Sequence, residues 1–242
     1  MSDDAAAGAG AATDAAAVRT ARRDGIAVGL ATAAYGVSFG ALAVASGLDV
    51  WQACFLSLVM FTGGSQFALV GVVASGGVAA GGSAIAAAAL LGVRNVVYGM
   101  RMRPVVGSRG VAHRVAAAWL TIDESTAVAL AQSTDRAARV GFWVTGVAIF
   151  IGWNLTTLAG ALIGDALGDT RAYGLDAAAA AAFLGLLWPR LKRLQAGATA
   201  VLAAVVATIA TPVLTPGLPV LVAALVAVVI GWFDLLGRRR EA

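Results

Sequence analysis

A glycine pair, followed by a hydroxyl and a carboxamide, interrupts the longest uncharged stretch of this 242-residue chain. The stretch spans 44 residues between Asp49 and Arg94, and the interruption reads Thr62-Gly63-Gly64-Ser65-Gln66. Two adjacent glycines weaken a helix by about 2 kcal/mol relative to alanine, so the backbone can open there. A helix that begins after the break directs its free N–H groups and positive dipole end at a cavity, which suits a carboxylate. The alternative is close helix packing through small residues.

A second polar cluster, Thr121-Ile122-Asp123-Glu124-Ser125-Thr126, places two adjacent carboxylates between apolar flanks. One interpretation is a helix start at the membrane surface, with Thr121 as the N-cap and the acids in the first turn. The other is a site inside the bilayer, where charges are costly and usually functional. Asp123 or Glu124 would then bind a substrate ammonium group or carry a coupling proton. The sequence leaves both interpretations open because it does not give depth.

Arg94, Asn95 and Tyr98 form a third candidate group near the positive end of an apolar segment. Tyr98 follows Arg94 by four residues and therefore shares its helix face. Arg94 either extends to the membrane interface or pairs with an acid such as Asp123 or Glu124, or with a substrate carboxylate. We predict that these three residues and Thr62–Gln66 bind the substrate.

The residue sets that most enzymes need are missing from the sequence. It contains one His and one Cys, and it has no phosphate-binding loop and no His/Cys cluster with metal-ligand spacing. We therefore expect no enzymatic activity, no cofactor and no metal. The net charge of +4 does not indicate nucleic-acid binding, because the 17 basic residues lie mainly at the ends of apolar segments.

The composition indicates an all-α polytopic membrane protein. Hydrophobic residues make up 60% of the chain and charged residues 12%, with a mean hydropathy of +0.86; a soluble domain has about 25% charged residues. Uncharged runs of 24, 44, 25 and 40 residues each hold one or two spans, since about 20 helical residues cross the hydrocarbon core. The sequence predicts a disordered tail at 1–23, a single transmembrane domain at 24–236 and a basic cytoplasmic tail at 237–242.

The simplest division gives eight spans, at about 25–48, 50–72, 79–100, 115–134, 140–163, 172–189, 194–211 and 217–235. With the N-terminus inside and Arg94 left out, eleven Lys and Arg lie inside and five outside, which fits the positive-inside rule poorly. Suppose instead that 50–78 enters from outside, breaks near Gly63–Gly64 and returns, and that 113–139 does the same from the cytoplasm, breaking near Asp123–Glu124. Six crossings then remain, both termini are cytoplasmic, and the counts become fifteen and one. We prefer this version; crossing segments that are unwound in the middle are the alternative.

An internal similarity agrees with the six-crossing version. At an offset of 59 residues, Val37-Ser38-Phe39-Gly40 aligns with Val96-Val97-Tyr98-Gly99, and Thr62–Ser65 aligns with Thr121–Glu124. The two units would have opposite orientation, as in the inverted repeats of many secondary transporters.

Trp153 fits an interfacial aromatic belt poorly, since it lies within an apolar run.

The order and spacing of several short motifs resemble the AzlC family, the large subunits of branched-chain amino acid permeases. The similar pieces cover about residues 24–235 and are Gly36–Ala43, Trp51–Ala53, Phe61–Phe67, Val93–Asn95 with Tyr98–Gly99, Thr121–Glu124, Trp153–Thr157 with Gly160, and Gly174–Asp176 with Phe183. Gly92 and Asn95 depart from the pattern, because the family often has Asn and His at these two places.

The resemblance implies a secondary transporter in the cell membrane that exports leucine, isoleucine, valine or methionine. It implies coupling to an ion or proton gradient and a small, separately encoded AzlD-type membrane subunit as partner. The competing hypothesis is a membrane subunit that transports nothing and only scaffolds a larger complex. Such a subunit would have no reason to place Gln66, Arg94 and paired acids within apolar segments.

Overall fold

The computed structural model describes residues 2–107, 109–168, 184–185, 187–188 and 191–233. All regular structure in these ranges is helical, with nine α-helices and a short 3-10 helix at Val78–Ala80. The α-helices are α1 (Ser2–Ala45), α2 (Val50–Val59), α3 (Gly63–Gly76), α4 (Gly81–Val106), α5 (Val111–Trp119), α6 (Asp123–Leu130), α7 (Asp135–Leu167), α8 (Leu194–Ala210) and α9 (Leu218–Phe233).

Three of the described helices are long and apolar enough to cross a membrane. They are Gly10–Ala45 within α1, Gly81–Val106 and Asp135–Leu167, and α2, α8 and α9 are shorter apolar helices. Many large apolar side chains on these helices are exposed, among them Val96 and Ile209. A soluble monomer rarely exposes so much contiguous apolar surface, so these faces fit contact with lipid. The fold is that of a helical membrane protein.

Helices α1 and α7 pack closely and run parallel. Gly25 lies against Thr145, and farther along both helices Gly36 lies against Thr156, so the residue numbers of the contacts rise together. Thr156 Oγ1 also donates a hydrogen bond of 2.6 Å to the carbonyl of Ala33 in α1. Small residues at such an interface let two backbones approach within hydrogen-bonding distance. Helices α2 and α6 pack against both members of this pair.

Helix α4 runs antiparallel to α1 and α7. At its last turn the carbonyl of Val105 accepts a hydrogen bond of 3.0 Å from Arg139 Nε, in the first turns of α7. Eleven residues earlier in α4, Arg94 lines the same cavity as Trp153, which lies in the second half of α7. Moving forward along α4 therefore means moving backward along α7.

The two segments expected to be broken are both interrupted in the structure. The first is non-helical at 60–62, between α2 and α3, and the second at 120–122, between α5 and α6. Each break immediately precedes the residues at which it was predicted.

The second broken segment is shorter than the predicted 113–139. Thr134 Oγ1 accepts a hydrogen bond of 3.2 Å from the backbone N–H of Ala137, so Thr134 caps a new helix. Residues 135–139 are accordingly the first turns of α7, and not part of the segment that contains Asp123.

Helices α2 and α3 form a hairpin-like excursion from one end of the bundle. Helix α2 starts just after α1 ends, and Ser57 Oγ donates to Thr157 Oγ1 of α7 over 3.4 Å. Helix α3 then runs away from the middle. Its last residue, Gly76, lies next to the start of α4, since a methyl group on Gly76 would be 2.6 Å from Cβ of Ala80. That start lies at the end of the bundle from which α2 entered.

Helices α5 and α6 make the corresponding excursion from the opposite end. Leu120, after α5, lies on Gly146 of α7, where a methyl group would be 2.9 Å from its Cβ. Val128 of α6 approaches Gly141, which is closer to the start of α7. Helix α6 therefore returns toward the end of the bundle where α4 finishes and α7 begins. The N-termini of α3 and α6 both lie in the middle.

The N-terminal residues differ from the predicted disordered tail at 1–23, since α1 covers nearly all of this range. Val18 and Ala21 are buried against α7, and Asp14 accepts a hydrogen bond of 2.7 Å from Thr134 Oγ1. Alanine has the highest helix propensity of all residues, and α7 gives the helix a surface to pack on. An alanine-rich composition was therefore a helix signal here.

The last two helices are joined by a turn that contains Pro212 and Pro216. Helix α8 ends at Ala210 and α9 begins at Leu218. The predicted crossing at 172–189 lies outside the described residues, apart from 184–185 and 187–188, and so does the basic tail at 237–242.

Candidate functional site

A cavity of about 680 Å³ lies where the N-termini of α3 and α6 meet. Its volume is in the range of about 300–1,000 Å³ that small-molecule sites occupy. The residues that line it are Thr32, Tyr35, Phe61, Thr62, Gly63, Gly64, Phe67, Leu91, Arg94, Ile122, Asp123, Glu124, Ala127, Ile149, Trp153, Leu184 and Leu187. Six of the ten residues predicted from the sequence are among them, and they come from three separate helices.

Arg94 and Asp123 form an ion pair in the cavity wall. Nε of Arg94 lies 3.1 Å from Oδ1 of Asp123, and the side chains are 32% and 24% exposed. The two contacting atoms are buried and lack the alignment of a good hydrogen bond, so this is a close contact of opposite charges, while other atoms of both side chains remain accessible. Of the alternatives for Arg94, the structure shows the one in which it pairs with an acid.

The glycines at the start of α3 leave space for the guanidinium group of Arg94. A methyl group on Gly64 would lie 2.8 Å from Nη2 of Arg94, which is closer than a real side chain tolerates. A methyl group on Gly63 would lie 3.2 Å from the ring of Trp153. The glycine pair therefore lets two larger side chains lie directly on the helix start.

The first turn of α3 also supplies free backbone donors. Its N-cap, Thr62, makes no capping hydrogen bond, and the first bond of the helix runs from the N–H of Gln66 to the carbonyl of Thr62 at 3.1 Å. The amides of Gly63, Gly64 and Ser65 thus have no acceptor within the helix. With Arg94 beside them, they make this side of the cavity electropositive.

The start of α6 has the opposite character, because Asp123 and Glu124 occupy its first two positions. The helix start is held by Ser125, whose Oγ accepts from the N–H of Ile122 at 3.1 Å and donates to the carbonyl of Leu120 at 2.6 Å. Thr121, predicted as the N-cap, instead donates back into α5. The acids begin a helix, as in the first of the two interpretations, but that helix starts within the bundle, facing the cavity.

The remaining walls are apolar and aromatic, and these residues were missed by the sequence reasoning. Trp153 stacks on Phe39 with ring centroids 6.2 Å apart and meets Phe67 edge-on at 6.3 Å. Ile149 and Leu91 add aliphatic surface. The signal that could have found Trp153 was its position inside an apolar run instead of at an end.

Two residues of the glycine cluster lie behind the cavity wall. Gln66 is fully buried, and its Nε2 donates to the carbonyl of Met60 at 2.6 Å, so it joins α3 to the end of α2. Ser65 is also buried and faces Gly92 of α4, where a methyl group would be 3.6 Å from Ser65 Oγ. Neither side chain is among the cavity-lining residues. Gln66 supports the break in the backbone instead, whereas Ser65 packs between α3 and α4.

Asn95 and Tyr98 lie on α4 beyond Arg94 and are not among the cavity-lining residues either. They are both partly buried. Their predicted contact with the substrate therefore depends on a rearrangement that the structure does not show.

Comparison with known proteins agrees with the resemblance found in the motifs. The pattern of the AzlC protein family matches residues 27–167. This range ends at the last residue of α7 and includes every cavity-lining residue except Leu184 and Leu187. No curated protein and no solved structure matches the chain. Because the matched range is more than half of the sequence, the chain belongs to the AzlC family, which is associated with branched-chain amino acid transport.

Proposed function

We propose that the protein is a secondary transporter that exports leucine, isoleucine, valine or methionine across the cell membrane. The observation that carries this proposal is the pairing of opposite charges in one apolar cavity. Backbone amides at the start of α3, Arg94, Asp123 and Glu124 all lie in its wall, with Arg94 between the amides and Asp123. An amino acid has the same arrangement of charges, with a carboxylate and an ammonium group on one carbon.

In this proposal the substrate carboxylate binds the amides of Gly63 and Gly64 together with the guanidinium of Arg94. A helix N-terminus stabilises an anion through its dipole and its unpaired N–H groups. The carboxylate would compete with Asp123 for Arg94. Asp123 and Glu124 would then be available to bind the ammonium group or to carry a coupling proton.

The aliphatic side chain of the substrate would lie against Ile149, Leu91 and the ring of Trp153. The aliphatic part of these walls, Ile149 and Leu91, has no polar group that could favour one aliphatic side chain over another. One methylene group in an apolar pocket changes binding by about 1–3 kcal/mol. We therefore expect modest selectivity among leucine, isoleucine, valine and methionine.

We propose the six-crossing topology for the protein, with both termini cytoplasmic. It is supported by the direction of α4, which is opposite to that of α1 and α7, whereas eight successive spans would make all three parallel. The excursions of α2–α3 and α5–α6 from opposite ends of the bundle support an inverted repeat of the two units. Broken helices that meet at the bilayer midplane are the usual binding sites of such transporters.

The proposal is tested by counterflow of labelled leucine into proteoliposomes that contain the purified protein. We expect uptake against unlabelled leucine, isoleucine, valine and methionine, and none against lysine or glutamate. The assay is run with and without a small AzlD-type subunit, which we propose as the partner. If no solute moves in either preparation, the transporter proposal is wrong and a scaffolding role becomes the better explanation.

A further inference from the structure

A second cavity, of about 460 Å³, lies on the other side of the break between α5 and α6. Thr121 lines this second cavity, and the next residue, Ile122, lines the first one. Two consecutive residues of the chain thus face two different cavities. The wall between the cavities at this point is the non-helical segment Leu120–Ile122.

The two cavities follow each other along α4. Leu91 and Arg94 line the first, and Met102 and Val106 line the second. Val106 is next to Val105, whose carbonyl is bonded to Arg139 at the start of α7. The second cavity therefore lies toward the end of the bundle where α1 and α7 begin, in line with the proposed binding site.

The lining of the second cavity combines positive charge with small apolar groups. Arg103 and Arg114 are its charged residues, and no Asp or Glu of the described residues lines it. Both arginines are exposed. Met102, Ala117 and Ala118 provide apolar surface beside them. A carboxylate attached to a short aliphatic group matches this lining.

We infer that the second cavity is a vestibule that receives the carboxylate of the amino acid, and that Leu120–Ile122 is the partition that opens between vestibule and binding site. The inference rests on the proposed function, since it assigns a path to the same solute. It adds Arg103 and Arg114 as residues that concentrate the anion and names the segment that must move.

The partition is suited to movement because its backbone is not part of a helix. The segment is buried, and its backbone bonds to the flanking helices at its two ends, from the N–H of Leu120 to Ala116 and from the N–H of Thr126 to Ile122. Between these ends, side chains hold it: Ser125 Oγ accepts from the N–H of Ile122 and donates to the carbonyl of Leu120, and Thr121 Oγ1 donates to the carbonyl of Ala117 at 2.7 Å. A segment held by side-chain hydrogen bonds can shift without breaking the hydrogen-bond ladder of a helix. Two discrete positions of such a segment are sufficient for a gate.

The test uses cysteine labelling, which is read independently of transport. The native cysteine is removed as Cys54→Ala, and Ala118→Cys places an exposed thiol in the vestibule. The measured quantity is the reaction rate of an anionic methanethiosulfonate reagent divided by that of a cationic one. We expect this ratio to be about tenfold higher at Ala118→Cys than at a control site, because clustered charge raises the local concentration of counter-ions by about 10-fold or more. The control is Gly10→Cys, an exposed position in the first turns of α1.

Adding Arg103→Gln and Arg114→Gln should remove the preference for the anionic reagent at Ala118→Cys and leave Gly10→Cys unchanged. Saturating leucine should slow the reaction at Ala118→Cys only. Equal rates for both reagents would overturn the inference. The inference would also be overturned if anionic lipid in the vesicles slowed the labelling of Ala118→Cys and leucine did not, because the cavity would then hold a lipid headgroup.

The two proposals fail in different ways. If leucine counterflow is normal and the vestibule shows no charge preference, the inference fails and the transport function stands. If counterflow is absent from the native protein, the transport function fails, whatever the labelling shows.

Discussion

Nε of Arg94 lies 3.1 Å from Oδ1 of Asp123, and this contact joins α4 to the first turn of α6 at the edge of the cavity. The two charges are partly exposed to the cavity, so a solute can reach both of them. The pair balances the charge of Arg94 against one of the two carboxylates that line the cavity, and it offers each end of a zwitterion a partner of opposite charge. This relationship is the basis of the first two predictions.

Replacing Arg94 by Gln should lower the apparent affinity for leucine about 10- to 100-fold, the effect of losing one hydrogen bond to a charged group. Arg94→Lys should recover part of the affinity, because lysine keeps the charge but not the planar fork of donors. The measurement is the KM of leucine counterflow in proteoliposomes. Unchanged KM values in both variants would remove Arg94 from the binding site.

Asp123→Asn and Glu124→Gln test which acid takes part in coupling. Neither replacement can ionise. The variant at the coupling residue should therefore still exchange leucine when the pH is equal on both sides, but a pH gradient should no longer drive leucine accumulation. The other variant should keep the response. The two measurements are leucine counterflow without a gradient and leucine accumulation with an imposed gradient. Native rates and pH dependence in both variants would exclude a proton-carrying role for these acids.

Gly64→Ala should impair binding, because its methyl group would lie 2.8 Å from Nη2 of Arg94 and must displace the guanidinium group. Gly92→Ala is a matched control on the facing helix, since its methyl group would be 3.6 Å from Ser65 Oγ, an ordinary contact distance. We expect a raised KM for leucine in Gly64→Ala and a native KM in Gly92→Ala. Similar elution of both variants in size-exclusion chromatography would confirm that they are folded. A native KM for Gly64→Ala would show that the position of Arg94 is not critical.

The sequence predicted the breaks in this fold because their causes are local. Gly63-Gly64 disfavours a helix by itself, and Asp123-Glu124 favours a helix start by itself. The pairing of Arg94 with an acid was also foreseeable, since a charge within an apolar run needs a partner. The aromatic wall around Trp153 was not foreseeable in this way. It depends on which helices become neighbours, and that is decided by the glycine contacts between α1 and α7.

The same limit explains why Gln66 was predicted to contact the substrate. Its polar group in an apolar segment indicates a need for hydrogen bonds, but sequence does not show whether a solute or the backbone meets that need. In the structure the carbonyls at the end of α2 do so. A break in a helix exposes carbonyls, and a nearby carboxamide satisfies them.

Gln66→Ala should therefore lower stability more than affinity. The variant removes the Nε2 donor that serves the carbonyls of Ser57 and Met60, although Met60 keeps the bond from the N–H of Thr62, and losing a buried donor of this kind costs about 1–3 kcal/mol. Gln132→Ala is the control, because Gln132, just after α6, donates a similar bond of 3.0 Å to the carbonyl of Val128 in α6, and neither residue lines the cavity. We expect a clearly lower Tm in detergent for Gln66→Ala and a smaller change for Gln132→Ala. Equal Tm values would contradict a bracing role for Gln66.

The position of two loops distinguishes the six-crossing from the eight-span topology. In the six-crossing version, the connection between α3 and α4 lies outside, on the same face as the end of α1, and the connection between α4 and α5 lies in the cytoplasm. Eight spans reverse both locations.

The Cys54→Ala background with either Ala79→Cys or Arg109→Cys places one thiol in each connection, and both positions are exposed. A membrane-impermeant maleimide applied to intact cells should label Ala79→Cys and leave Arg109→Cys unlabelled, and inside-out vesicles should give the opposite result. Labelling of Arg109→Cys in intact cells would favour the eight-span version. The thiol-free Cys54→Ala protein measures the background, and disrupted membranes show that both thiols are reactive.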